Sequence, residues 1–138
     1  RMWSRVNRGT YERPGLVFAL MSGGSCHGVA LRLPHEEVET MMPALWVREM
    51  PNPVYDPKWV RCQTGQGTVS ALAFTLSRHS PNFTGTLSPE QYRDIFTKSV
   101  GRYGSTLDYA RQTLQGLRTH GIEDHALARL LRHNATEA

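Results

Sequence analysis

Glu49 closes a run of large apolar side chains, L-W-V-R-E-M at 45–50. At about 100° per residue, Val38, Met41, Met42, Leu45 and Glu49 fall on one side of a helix. The eleven steps from Val38 to Glu49 turn through about 1100°, so the two point within about 20° of each other. Pro43 lies between them and can kink the helix and shift this phase. A carboxylate on a core-facing stripe has two readings. It is structural, exposed in the last turn or held by Arg48 or another cation. Alternatively it is desolvated, and a desolvated carboxylate keeps its proton to higher pH, which suits it to general-base work near neutrality. Burial without a partner or a proton costs several kcal/mol, so a glutamate in this phase needs one or the other.

The other reactive residues carry weaker signals. Cys26 and His27 are neighbours and would point to opposite faces of an extended chain, a poor nucleophile–base pair. The histidines lack metal spacing: His120 and His125 are five apart, outside the three or four that share a helix face. We expect no metal site. G-G-S-C-H-G at 23–28 and G-Q-G at 65–67 contain glycine as phosphate loops do, but neither opens a helix, so both read as turns. Asn82 and Asn134 sit in glycosylation-type triplets without any sign of secretion.

The whole chain has 138 residues, enough for one domain with a single core. Hydrophobic residues at 39% and charged residues at 20% fit a globular protein, and no apolar run reaches the roughly 20 residues of a membrane span. Two cysteines, Cys26 and Cys62, make no disulfide framework, and reduced thiols in a cytoplasmic protein are the expectation. Arg1, Arg5, Arg8 and Arg13, with Trp3 and Tyr11 between them, supply much of a net charge of +4. Basic residues interleaved with aromatics can hold single-stranded nucleic acid, but no nucleic-acid motif accompanies them. A positive pocket for a small anionic substrate accounts for the same charge.

These side chains need elements to hold them. Pro14-Gly15 marks a turn, L-V-F-A-L-M at 16–21 and V-A-L-R-L at 29–33 read as strands, and 23–28 joins them as a hairpin. Pro34 opens a helical stretch over 35–50, with Glu36 and Glu37 in its first turn. Three prolines make 51–57 a loop, and 58–64 and 68–77 form a second hairpin around G-Q-G. Ser88-Pro89 starts a helix that runs to about Val100, and Gly101–Gly104 break it. Further helices fit 106–119 and 123–133, the last with Leu127, Leu130 and Leu131 on one face. Strands first and helices last make this an α+β chain rather than alternating βαβ.

Several segments, in this order, carry a family resemblance: S-x-x-x-R-G-T-x-x-x-P-G at 4–15, G-G-S-C-H-G-V-A at 23–30, R-L-P at 32–34 and R-E-M at 48–50. A-L-A-F at 71–74, F-T-G at 83–85 and G-R-Y-G-S-T-L-D-Y at 101–109 complete the set. With them the chain resembles the ChaC-type glutathione-specific γ-glutamylcyclotransferases over most of its length. The resemblance implies a single γ-glutamylcyclotransferase-like domain over 1–138, a mixed β-barrel flanked by helices. It implies cyclisation of the γ-glutamyl group of glutathione, releasing 5-oxoproline and cysteinylglycine, with no cofactor. The R-E glutamate of the family, which moves the protons, corresponds to Glu49. Tyr55 and Tyr109 correspond to tyrosines near the substrate. Ser4, at the head of the first motif, and Arg48 join them on the substrate side. Arg48 either orients Glu49 or caps the helix C-terminus. Glu37 is a loose match to a second carboxylate.

The resemblance also has gaps. The family's opening strand and Y-G-S-L loop are absent, so we expect a chain that begins after them and leaves one barrel edge unpaired. Leu31 and Phe83 stand where tyrosine is common, and Thr106 where asparagine is frequent, each altering a polar contact. The expected partner is thus a small molecule, glutathione or another γ-glutamyl peptide, with no membrane or nucleic acid. Nothing in the pattern specifies an oligomeric state. The alternatives are the same cyclisation on other γ-glutamyl amines and a non-catalytic module that binds a small molecule or a partner.

Overall fold

The computed structural model describes residues 1–49 and 55–135. They fall into two compact units, Arg1–Ala19 with Pro81–Ala138, and Leu20–Ser80 between them in sequence. Among the described residues the strands pair antiparallel as three two-stranded sheets.

The first unit joins the two ends of the chain. Strand β1 (Met2–Ser4) pairs with β2 (Gly15–Val17) in the register Met2↔Val17, Trp3↔Leu16 and Ser4↔Gly15. Helix α2 (Pro89–Lys98) starts as its sequence requires: the Ser88 side chain accepts from the Gln91 amide, and the Gln91 side chain accepts from the Ser88 amide. This capping box satisfies two amides that the helix leaves unpaired, and Pro89 has no amide hydrogen to lose. Strands β5 (Val100–Gly101) and β6 (Gly104–Ser105) form a minimal hairpin closed by Gly104 at φ 119°. The expected glycine break is therefore a tight reversal that feeds directly into the next helix.

Helix α3 (Thr106–Thr119) has Ser105 as its N-cap, accepting from the Asp108 amide, and α4 is His125–Ala135. Phe96, Ala110, Leu114, Leu127, Ala128 and Leu131 make the main core between α2, α3 and α4. Leu130 packs against that core while half-buried, so the expected leucine face of α4 is the buried one. A second cluster joins Leu16 of β2 to Leu87 and Ile95, with Trp3 packed on it. Each fully buried leucine contributes about 1.5–3 kcal/mol, so these two clusters dominate the stability of the unit.

The second unit contains a 3-10 turn (His35–Glu37), helix α1 (Val38–Glu49) and a long hairpin of β3 (Tyr55–Thr64) and β4 (Gly67–Leu76). Ten paired positions run from Tyr55↔Leu76 to Thr64↔Gly67. At the turn the Thr64 hydroxyl donates to the Gly67 carbonyl at 2.7 Å and accepts from the Gln66 amide at 3.1 Å. Tyr55, Asp56 and Pro57 belong to the strand rather than to the expected loop, and 51–54 lie outside the described residues.

The expected hairpin of 16–21 with 29–33 does not form. Leu16 and Val17 pair with β1 instead, and 21–34 contain no strand. Val29 and Leu31 are 51% and 86% exposed, so their apolar alternation has no face to bury. Gly23 and Gly24, at φ 97° and 74°, do turn the chain as the glycine pair suggests. The loop is held further on, by the Leu76 amide donating to the Leu20 carbonyl and by Arg78 donating to the Ser22 carbonyl.

Candidate functional site

Glu49 is the last residue of α1, with its side chain 27% exposed. Its Oε1 lies 3.4 Å from Nε of Arg48, whose own side chain is 79% exposed. Arg48 is thus a neighbour of the carboxylate, though an exposed pair of this kind holds it only weakly, by about 0–1 kcal/mol. The stripe that carries Glu49 is shallower than its sequence suggests. No residue of α1 is buried, Met42 and Leu45 are half-buried, and Val38 and Met41 are exposed. The helix runs through Pro43 unbroken, and Trp46 meets Phe74 of β4 edge-on at 5.8 Å. An aromatic edge contact and two half-buried apolar side chains are what position the end of α1. Met50, the third residue of R-E-M, lies outside the described residues. Tyr55 opens β3 opposite Leu76 and is half-buried.

In the first unit, Ser4 and Tyr109 come together around a residue the sequence did not single out for chemistry. Ser4 is buried, and its hydroxyl accepts from the Arg8 amide at 3.0 Å. The guanidinium of Arg8 lies over the ring of Tyr109, 5.5 Å from its centroid. The same guanidinium donates to the carbonyls of Tyr103 at 2.9 Å and Ser105 at 3.4 Å. The Tyr109 hydroxyl accepts from the amide of Phe18 at 3.0 Å, and the two rings meet edge-on at 6.5 Å. Accepting from an amide leaves the phenolic proton of Tyr109 available for another acceptor.

Thr106 ties this cluster to the backbone. It is 1% exposed, accepts from the Leu16 amide at 3.2 Å and donates to the Arg8 carbonyl at 2.9 Å. Thr106 and Tyr109 are three apart on α3, and Leu16 and Phe18 are two apart on the strand side. Helix and strand periodicities therefore match, so two helix side chains meet two successive amides on one side of an extended chain. The motif glycines explain the closeness. A Cβ on Gly9 would overlap the Gly15 amide, and one on Gly15 would overlap the Arg8 carbonyl and the Thr106 hydroxyl. One on Gly101 would lie 2.5 Å from the Arg8 and Gly9 amides. R-G-T, P-G and G-R-Y-G-S-T are thus pieces of one packed knot, closed further by Arg102 and Tyr103 amides donating to the carbonyls of Val6 and Asn7. In the sequence Arg8 stands only in the basic N-terminal cluster and Thr106 only where the family has a frequent asparagine, and neither pattern shows that the two meet.

A small, mainly apolar recess opens beside Tyr109, lined by Leu16, Phe18, Leu127 and Leu130 and by Arg1. Arg1 stacks over Phe18 and Tyr92 and donates to the Tyr92 hydroxyl at 3.0 Å. Among the described residues no three His, Cys, Asp or Glu side chains gather as a metal site, and Cys26 and Cys62 are free thiols. No helix among them is long and apolar enough to cross a membrane.

The family model described as ChaC-like protein matches residues 1–137. The chain belongs to the ChaC-like family. Its fold is that of a γ-glutamylcyclotransferase, similar to two crystal structures of a glutathione-specific γ-glutamyl cyclotransferase from yeast. The selenomethionine-labelled form aligns with a TM-score of 0.74 at 17% identity, covering 98% of this chain and 81% of that one. The second aligns with a TM-score of 0.72 at 17% identity, covering 99% and 83%. No curated protein matches the sequence. Among the described residues of this ChaC-like chain the mixture of four helices with small antiparallel sheets agrees with the α+β class expected from element order.

Proposed function

We propose that this ChaC-like chain degrades glutathione by cyclising its γ-glutamyl group. The observation that carries the reading is the family match along residues 1–137, and the likeness of fold to the yeast enzyme supports it. The same unbroken match supports treating the two units as one domain. In the reaction the α-amine nitrogen bonds to the γ-carbonyl carbon, and the γ-amide C–N bond breaks. The ring leaves as 5-oxoproline and the amine as cysteinylglycine. The α-ammonium nitrogen gives up two protons on its way to the lactam N–H, and the departing nitrogen gains two as it becomes an ammonium, so the protons balance without an outside reactant.

Glu49 takes the first proton and returns it to the leaving amine. Its partial exposure and its position at the end of α1 leave the carboxylate within reach of a small molecule. Arg48, 3.4 Å away, orients it. Tyr55, Tyr109 and Ser4 are the substrate-side residues; Ser4 is buried, and its role is to fix the Arg8 backbone, whose amide its hydroxyl accepts. The reaction needs no cofactor, because the substrate supplies its own nucleophile and the protein supplies geometry and proton transfer. A cytoplasmic location suits a glutathione-consuming enzyme with free cysteines.

The test is to incubate the full-length protein with glutathione and follow 5-oxoproline and cysteinylglycine. Glu49→Gln should lower kcat by about 10²–10⁴-fold, the usual worth of a positioned proton-transfer group, with an unchanged melting temperature. Full activity in that variant would remove Glu49 from the chemistry. Parallel assays with γ-glutamyl-alanine read how far the substrate range extends beyond glutathione.

A further inference from the structure

We propose that Arg8 is a positioning residue, holding Tyr109 so that its phenol donates to an oxygen acceptor of the substrate. This rests on the reading above, in which Tyr109 meets the substrate. Five contacts converge on the arrangement. The Arg8 guanidinium lies 5.5 Å from the Tyr109 ring centroid, close enough for the cation to be attracted to the ring face. Its position is fixed from the far side by the carbonyls of Tyr103 and Ser105, at the turn that leads into α3. The Arg8 carbonyl accepts from Thr106, three residues before Tyr109 on the same helix, so backbone and side chain of Arg8 brace one helical turn. The Phe18 amide occupies the phenol oxygen as a donor at 3.0 Å, which assigns the phenol's own proton to something else.

The direction of that proton follows. A phenol oxygen that already accepts from an amide, with a guanidinium over its ring, is polarised as a donor. It selects an oxygen acceptor, a carboxylate or an amide carbonyl, and disfavours an ammonium. The γ-glutamyl moiety offers both kinds of oxygen beside its α-ammonium, so Tyr109 reads the oxygen side of the substrate. Lysine cannot replace the guanidinium fully, because a point charge cannot stack on the ring and donate in two fixed directions at once. The backbone hydrogen bonds of Arg8 to Ser4 and Thr106 survive any side-chain change, so a variant tests the guanidinium alone.

The experiment combines kinetics with a readout that needs no turnover. Arg8→Met and Tyr109→Phe should each lower kcat/KM by about tenfold, and the double variant should be no worse than either, since the one acts through the other. Arg8→Lys should recover part of the loss. In protein labelled with 3-fluorotyrosine, Tyr109→Phe identifies the Tyr109 fluorine resonance, and Arg8→Met should shift it while Tyr11, Tyr55 and Tyr92, which Arg8 does not touch in any described contact, stay in place. An unmoved Tyr109 resonance, or losses that add in full in the double variant, would overturn the proposal. Should Arg8→Met fold poorly, the resonance in Arg8→Lys decides in the same way. If glutathione is not turned over at all, the proposed function fails, whereas the fluorine shift still decides whether Arg8 positions Tyr109.

Discussion

At the scale of single residues, Thr106 carries more of the architecture than any charged group. It is a helix-starting threonine, and its hydroxyl satisfies an amide and a carbonyl from two other segments. Thr106→Val keeps the shape and removes only the hydroxyl, stranding the Leu16 amide and the Arg8 carbonyl. Unsatisfied buried groups cost about 1–3 kcal/mol each, so urea unfolding should show a loss of about 2–4 kcal/mol. A loss below about 0.5 kcal/mol would mean that water replaces the hydroxyl there. Glu49 contrasts with it. Its helical phase was readable from sequence, but the depth of its burial was not, because that depends on what covers α1. Leu45 and Met42 cover part of the helix, and Val38 and Met41 remain exposed.

At the scale of elements, legibility followed the locality of the signal. The α2 start was read from Ser88 and Pro89 because a capping box is complete within four residues. Ser88→Ala should destabilise the protein by about 1 kcal/mol, seen as a lower melting temperature, with Ser88→Gly losing less. The β3–β4 hairpin and the span of α3 were equally local. The 16–33 hairpin failed because a strand is defined by its partner. Val29 and Leu31 alternate as a strand would, yet Leu16 and Val17 find a better partner in β1, across the loop 5–14. Arg8 escaped notice as a site residue for the same reason. Its contacts lie more than ninety positions away, at Tyr103, Ser105 and Tyr109.

At the scale of the whole molecule, acid stability is set in part by exposed carboxylates with close cationic partners. Hydrogen bonding from Arg118, which bridges the turn between α3 and α4, holds the Glu123 carboxyl below its ordinary value of 4.5. Hydrogen bonding from Lys98 likewise holds Asp94 below 3.8. Folded-state values below the unfolded ones add stability that is present above the unfolded pKa and lost as pH falls through the folded one. The urea midpoint should therefore drop as pH descends below about 4.5, and Glu123→Gln should make that descent shallower. A variant whose profile parallels the parent's would show that the pair contributes nothing. Added salt should weaken the same contribution, because both pairs are open to solvent.

The knot of Arg8, Gly9, Gly15, Gly101 and Thr106 has a consequence for how the chain is made. Translation delivers the arginine-rich segment about ninety residues before the segment that receives it. The β1–β2 pair is local and can form early, but a two-stranded hairpin alone is only marginally stable. Until Leu87 and Ile95 leave the ribosome, Leu16 and Trp3 have no core to join, and until Gly101–Tyr109 follows, the Arg8 guanidinium and the Leu16 amide have no partners there. Closing a loop of that length costs little more than closing one half as long, so the delay is set by synthesis rather than by chain entropy. The β3–β4 hairpin emerges meanwhile and needs only its own neighbours. Release of the final third should thus coincide with the step at which the two segments become one unit, and a nascent chain stalled before Leu87 would still present Leu16 and Trp3 to chaperones.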